Sequence, residues 1–256
     1  MTIGRRVIRL DEATSTNDVA KRRGRSGEPE GLVIVARHQT QGRGRLGREW
    51  ISPEGGLYLS VLLRPELDPK ELTALTTYFV LPVAKAIENI TGLKTELKWP
   101  NDVQIVGRKV AGLLVEGTGQ RGKIAFLVLG IGINVNNSAK DLGLEGATSL
   151  SEEAGRTIDQ EELLEEILSE LRSHYERFKK GEYPEDEYVR RSSVLGHQIE
   201  AVIGRETFRG KALYLAPDGA LVIKSDEGLV LRLSWVNDTS LRVTDSAENI
   251  DIPTKD

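Results

Sequence analysis

Apolar and polar positions change period several times along the chain, and each change marks an element. Residues 7–10 and 32–36 are short apolar runs that predict strands, the second a buried one. Between them, Thr14-Ser15-Thr16-Asn17-Asp18 reads as a helix start. Ser15 with Asp18 three residues on resembles a capping box with Asp in place of Glu, and the helix through Val19 and Ala20 should end near Gly24. Residues 57–63 predict another strand. Leu72, Leu75, Phe79, Val83 and Ile87 fall at helical spacing, so a long helix is expected from Pro69-Lys70-Glu71-Leu72 to about Ile90, with Pro82 inside it as a source of a kink. Strands over 94–99 and 103–106 should flank a Pro100-Asn101-Asp102 corner, and 109–116 should pair with 123–129 across a turn at 117–122. Asp159 is placed to cap a helix to Lys180 that carries Leu163, Leu164, Ile167, Leu168, Leu171, Tyr175 and Phe178 on one face.

After Val194 the pattern turns to short runs at 198–203, 208–215, 220–224, 229–233 and 241–243. Pro217-Asp218-Gly219 and Asp226-Glu227-Gly228 supply turns between them. This predicts a small β-barrel over residues 191–246, after a large first domain over 1–190 and before a polar, frayed tail over 247–256.

Composition narrows the function. With 39% hydrophobic and 29% charged residues the chain is a folded, water-compatible one. A net charge of −4 counts against a general nucleic-acid binder. The absence of cysteine excludes disulfides, thiolate nucleophiles and cysteine zinc sites. No apolar run has the length of a signal peptide or a membrane span, so a cytoplasmic protein that touches no membrane is expected. His38, His174 and His197 lack metal-ligand spacing, and no side-chain metal site is expected.

The most informative stretch is Gln39-Thr40-Gln41-Gly42-Arg43-Gly44-Arg45-Leu46-Gly47-Arg48-Glu49-Trp50. Its arginines offer bidentate donors to phosphate or carboxylate, and its glycines let backbone come close to a ligand. Gly42, Gly44 and Gly47 also fit G-x-G-x-x-G, but Trp50-Ile51-Ser52-Pro53 cannot open the helix that a dinucleotide fingerprint requires. A solvated basic loop or a nucleic-acid contact remains as the alternative. Gly117-Thr118-Gly119-Gln120-Arg121-Gly122-Lys123 imitates a Walker A loop, yet Ile124 stands where Ser or Thr is needed, and a hairpin turn is expected instead. Asp102 at its corner is either a catalytic carboxylate or an Asx turn. Lys109 is either an anion ligand or a surface lysine. Asn134, in Gly130-Ile131-Gly132-Ile133-Asn134, either reads an adenine edge or belongs to a buried strand.

Taken in order, Ser15-Thr16-Asn17, Gln39 with residues 42–50, 98–102, 108–116, 130–134 and Ala147-Thr148-Ser149-Leu150 resemble the biotin–protein ligase family (holocarboxylase synthetases) over nearly the whole chain. The resemblance implies an α+β fold: a large catalytic domain with a mixed sheet packed by helices, similar to class II synthetases, and a small SH3-like C-terminal barrel. It implies a two-step reaction in which biotin and Mg-ATP give biotinyl-5'-AMP, and a lysine of a biotin carboxyl carrier protein then takes the biotinyl group and releases AMP. By the same resemblance Lys109 is the leading catalytic residue, bridging carboxylate and α-phosphate, with Arg45 beside it and Asp102 to orient or deprotonate the acceptor lysine. Ser15, Thr16, Asn17, Gln39, Arg43, Gly44, Arg45, Lys109 and Gly112 are expected around biotin. Arg43, Arg45, Arg48, Trp50, Lys109 and Asn134 are expected around the adenylate. The loop should act as a lid that shields a hydrolysable intermediate. A homodimer is implied. The ligase motifs begin at Ser15, so no N-terminal DNA-binding domain and no DNA partner are expected. Two competing readings are a lipoate or octanoate ligase of the same fold and a nucleic-acid-binding module that uses the three loop arginines.

Overall fold

The computed structural model describes residues 3–66, 72–120, 123–143, 146–182, 185–204, 206–234 and 239–244. Its elements run β1 (Arg6–Ala13), α1 (Thr16–Arg25), β2 (Leu32–Gln39), a 3-10 turn (Arg45–Gly47), β3 (Leu57–Leu63), α2 (Leu72–Thr91), β4 (Glu96–Lys98), β5 (Asp102–Ile105), β6 (Arg108–Gln120) and β7 (Lys123–Ile133). Then follow α3 (Ala139–Leu142), α4 (Leu150–Ala154), α5 (Gln160–Lys179), α6 (Glu185–Arg191), β8 (Gln198–Ile203), β9 (Glu206–Leu215), β10 (Leu221–Ser225), β11 (Val230–Leu233) and β12 (Thr239–Val243). Strands β1 to β7 form a seven-stranded sheet in the order β1-β2-β3-β7-β6-β5-β4, in which β1 and β2 are parallel and the other neighbours antiparallel. The last five strands form a separate antiparallel sheet, β11-β10-β9-β8-β12. The mixed sheet and the small all-β unit are thus both present. The expected Pro69-Lys70-Glu71 helix opening, part of the 117–122 turn and the tail lie outside the described residues.

Alternation along the central strand β7 explains the layers. Leu127, Leu129, Ile131 and Ile133 face the main core, where α2 contributes Leu75, Phe79, Val83 and Ile87 and α5 contributes Leu164, Ile167 and Leu171. Phe126 and Val128 face the other way and pack with Ala20 of α1, Leu32 and Ile34 of β2 and Leu62 of β3. Each fully buried aliphatic side chain is worth roughly 1.5–3 kcal/mol, so both faces are firmly held. On the α1 face the next two positions of β7 are Gly130 and Gly132, where the packing stops and a cavity begins.

The caps divide into one expectation met and one corrected. Asp159 accepts from the backbone N–H groups of Glu161 and Glu162 and opens α5 as its sequence implies. Ser15 occupies the N-cap position of α1 but makes no side-chain capping bond, so the expected box does not form. The parallel pairing of Ala13 with Gln39 brings the end of β2 beside this helix start, and Gln39 Oε1 takes the Thr16 N–H at 2.8 Å instead. Asp18 is left to point elsewhere.

The two sheets meet beside the β4–β5 corner. Trp99, at the end of the β4 corner, is buried with Val194, Leu195, Ile199, Ala212, Leu221 and Ile223 in the core of the small sheet. Its indole N–H donates to the Gly219 carbonyl at 2.9 Å. Ser193 N, in the segment that leads from α6 to β8, also bonds the Leu97 carbonyl of β4 at 3.0 Å.

Candidate active site

Strands β7 and β6, in register with β3 beside them, build the floor of a cavity of ≈ 290 Å³. Tyr58, Gly132 and Gly112 lie side by side across β3, β7 and β6, as do Ser60, Gly130 and Leu114. A methyl at Gly132 would sit 2.5 Å from Cε2 and Nε1 of Trp50, and one at Gly112 would sit 2.9 Å from Trp50 Cζ3 and 3.1 Å from Lys109 Cε. At Gly130 it would meet Asn17 Oδ1 at 2.3 Å. These glycines are therefore the space in which an indole, an ammonium and a helix start approach the sheet.

The α1 wall carries a closed polar network. Gln39 accepts from Thr16 N and Oγ1 at 2.8 and 3.2 Å and donates through Nε2 to Ser52 Oγ at 2.9 Å. Ser60 Oγ lies 2.7 Å from Thr16 Oγ1 and 2.6 Å from Asn17 Oδ1. Asn17 Nδ2 donates to Glu116 at 2.7 Å, and Lys21 pairs with the same carboxylate. Ser15, Asn17 and Gln39 line the cavity, while Thr16 stands behind them and holds Gln39.

The glycine-arginine loop folds back on itself. Trp50 N donates to the Gly42 carbonyl at 2.9 Å and Gly44 N to the Arg48 carbonyl at 2.7 Å, with Leu46 at φ 56° at the exposed tip. After Trp50 the chain runs into strand β3 rather than opening a helix, in keeping with the rejected dinucleotide reading. Arg43, Gly44, Arg45, Arg48 and Trp50 all line the cavity. Arg43 reaches out of the loop to α1, where Nη1 and Nη2 donate to Asp18 Oδ2 and Oδ1 at 2.8 and 2.5 Å. This bidentate pair holds the Asp18 carboxyl below its ordinary range and raises the Arg43 guanidinium.

Lys109 and Asp102 meet across the cavity from the loop. The Lys109 ammonium is 2.6 Å from Asp102 Oδ1 and 5.0 Å from the centre of the Trp50 ring, a cation–π distance. Unbroken alternation along β6 would turn Lys109 to the side opposite Gly112. The register of β5 against β6 slips between Val103 and Gln104, and this bulge brings Lys109 onto the cavity side. Asn101, next to Asp102, exchanges hydrogen bonds with Leu113 backbone at 2.7 and 3.0 Å, which fixes the corner. Asn134 lies at the end of β7, lines the cavity and donates to the Thr148 carbonyl at 3.0 Å.

The structure thus gathers every expected site residue into one cavity except Thr16. It adds Trp99 and Leu241 of β12 to the lining. Asp18, Ser60 and Glu116 support the site from behind, and Asp18 carries a signal in sequence only as a helix-start residue. Lys123 and Gly117 of the false Walker loop lie on paired strands β6 and β7. Among the described residues no group of three acidic or histidine side chains could hold a metal, and no helix is long and apolar enough to cross a membrane.

Comparison with known proteins places the chain among relatives of known activity. Residues 8–134 match the profile of the biotin/lipoate A/B protein ligase family. The bifunctional ligase/repressor BirA of Bacillus subtilis is 34% identical over 233 residues, spanning 89% of this chain and 72% of that protein. The biotin–[acetyl-CoA-carboxylase] ligase of Paracoccus denitrificans is 31% identical over 203 residues, or 76% of this chain and 85% of that protein. The biotin protein ligase of Aquifex aeolicus, solved in complex with biotin and ATP, superposes with a TM-score of 0.78 at 34% identity, covering 94% of this chain and all of that one. The chain belongs to the biotin/lipoate A/B protein ligase family, on its biotin–protein ligase branch.

Proposed function

We infer that the chain is an ATP-dependent biotin–protein ligase that forms biotinyl-5'-AMP and passes the biotinyl group to a lysine of a biotin carboxyl carrier protein. The observation that carries this reading is the Lys109–Asp102 pair, set beside Trp50 on a glycine floor and faced by a loop with three arginines.

The first step brings a carboxylate to a triphosphate. A carboxylate oxygen bonds to the α-phosphorus, the bond to the β-phosphate bridge breaks, and pyrophosphate leaves with the magnesium that accompanies ATP. Two anions must approach each other, so fixed cations decide the rate. Lys109 is the residue placed to exchange Asp102 for the carboxylate and α-phosphate oxygens, and Arg45 and Arg48 add charge from the loop. Trp50 and Asn134 serve the nucleotide side. Ser15, Asn17 and Gln39, with Thr16 behind them, serve the head of biotin, and backbone at Gly44 and Gly112 borders the same space. In the second step the carrier lysine attacks the acyl carbon and AMP leaves. Asp102, once released by Lys109, takes a proton from the carrier lysine, whose neutral amine is the nucleophile.

The small C-terminal sheet is read as an SH3-like barrel that supports the catalytic corner through Trp99, and the ligase is read as a homodimer. The first reading rests on the family resemblance and on the tie between the two sheets, the second on the family resemblance alone. Incubation with ATP, Mg²⁺, biotin and a carrier domain should add the mass of one biotinyl group to the carrier. If octanoate or lipoate drives pyrophosphate release and biotin does not, the substrate assignment is wrong.

A further inference from the structure

We propose that Asp18 is a positioning residue that latches the glycine-arginine loop from outside the cavity, through Arg43, and so sets how long the enzyme retains its acyl-adenylate. The proposal rests on the ligase reading above but turns on a residue that touches no substrate.

Asp18 lies in the first turn of α1 and does not line the cavity, whereas Arg43 does. Their two hydrogen bonds use one N–H on each terminal nitrogen of the guanidinium. Three of its five donors remain, including Nε–H on the side toward the loop. Asp18 therefore grips the far edge of the fork and leaves the near edge for an anion. The side chains are 33% and 31% exposed, so water screens the pair only in part. Lys21 stands 4.0 Å from Asp18, and the Lys21–Glu116–Asn17 network fixes the helix surface on which Asp18 sits. Thr40 N and Gln41 N tie the start of the loop to the Ala13 and Thr14 carbonyls at 3.0 and 2.8 Å, and the Arg43–Asp18 pair holds the segment beyond them to α1. The loop's own bonds, Gly44 to Arg48 and Trp50 to Gly42, close it on itself.

A lid needs two properties: it must open to exchange ligands, and it must close with its donors already aimed. A partly exposed ion pair supplies both, since it is strong enough to bias the closed pose and weak enough to break on opening. The carboxylate at position 18 also offsets the Arg43 charge in the empty enzyme, where three arginines of one loop would repel one another.

The test uses full-length enzyme loaded with labelled biotin and Mg-ATP, freed of excess ligand and chased with unlabelled biotin. Asp18→Asn should release the adenylate about tenfold faster than wild type, the loss expected for one charged bidentate contact. Asp18→Glu should recover part of the retention. Glu161→Gln, which breaks the exposed Arg9–Glu161 pair far from the loop, should behave as wild type. Melting temperatures should stay together across the set. A second readout needs no substrate: trypsin should cleave ligand-free Asp18→Asn after Arg45 or Arg48 faster than wild type. Unchanged release, or release that tracks melting temperature in every variant, overturns the latch. A wild-type enzyme that forms no adenylate sinks the ligase reading instead, and the tryptic rates then still decide whether Asp18 holds the loop.

Discussion

Adding one methyl group at Gly132 tests whether the floor of the site is shaped for the Trp50 indole. In Gly132→Ala the new Cβ lies 2.5 Å from two indole atoms and 2.9 Å from a third. Ordinary contact begins near 3.5 Å, so one partner must retreat by roughly 1 Å. The strand cannot yield easily, because β7 is bonded to β3 on one side and to β6 on the other. The indole moves instead, into the cavity and away from its 5.0 Å contact with Lys109. Overpacking of this kind costs about 1–3 kcal/mol, or a fall in Tm of roughly 2–10 °C in a chain of this size. Function should suffer more than stability, since the displaced ring occupies ligand space. We expect adenylate formation, followed by pyrophosphate release at fixed biotin and ATP, to drop at least about tenfold. A double-mutant cycle with Trp50→Ala isolates the cause: without the indole, the methyl should cost little further. Equal penalties in both backgrounds would mean that the methyl meets something other than Trp50.

Three further outcomes follow from the same geometry. Lys109→Met should lower pyrophosphate release by about 10²–10³-fold with a nearly unchanged melting temperature, and a loss under threefold would remove Lys109 from the chemistry. Val106, 78% exposed at the tip of the β5–β6 hairpin, holds φ at 49°, a region costly for a branched side chain. Val106→Asn should stabilise the protein by about 1 kcal/mol in thermal melts, and a neutral or negative change would refute the strain argument. Burial, opposed by the Glu170 carbonyl and joined by Lys85 and Arg177, holds the His174 imidazole below its ordinary pKa, with Tyr78 and Glu187 also against it. A histidine kept neutral in the fold stabilises it fully above the unfolded value near 6.5, and that stability is lost as pH falls from there toward the lowered folded value. Wild type should thus lose more Tm between pH 7 and 5 than His174→Gln, and parallel curves would show that His174 does not titrate with unfolding.

Much of this architecture is legible in the sequence, and the exceptions have a common cause. Strand β3 and the α5 cap appear where periodicity and Asp159 put them, because those signals are local. The site could be collected from motifs 15–17, 39–50, 98–102, 109–112 and 134, since the chemistry demands particular side chains. What escaped depends on register and on distance along the chain. Gln39 caps α1 from 23 residues away, through a parallel pairing that no spacing rule reveals. Lys109 faces the cavity because of a bulge, whereas simple alternation along 109–116 would have turned it away. Asp18 resembles a capping residue, and its pairing with Arg43 depends on how the loop folds back. Trp99 sits in a motif read for its carboxylate, although its indole belongs to the other sheet.

That last assignment bears on how such enzymes can be recombined. By chain position Trp99 belongs to the ligase sheet, but its ring completes the hydrophobic interior of the small C-terminal sheet and its N–H closes on the Gly219 carbonyl. A C-terminal sheet grafted from a relative would have to bring a cavity of the right depth and a carbonyl at the right height. Without them the graft would leave a bare indole two residues from Asn101 and three from Asp102. The two units are therefore unlike beads on a string: a side chain of the first completes the interior of the second, and a seam cut between them runs beside Asp102.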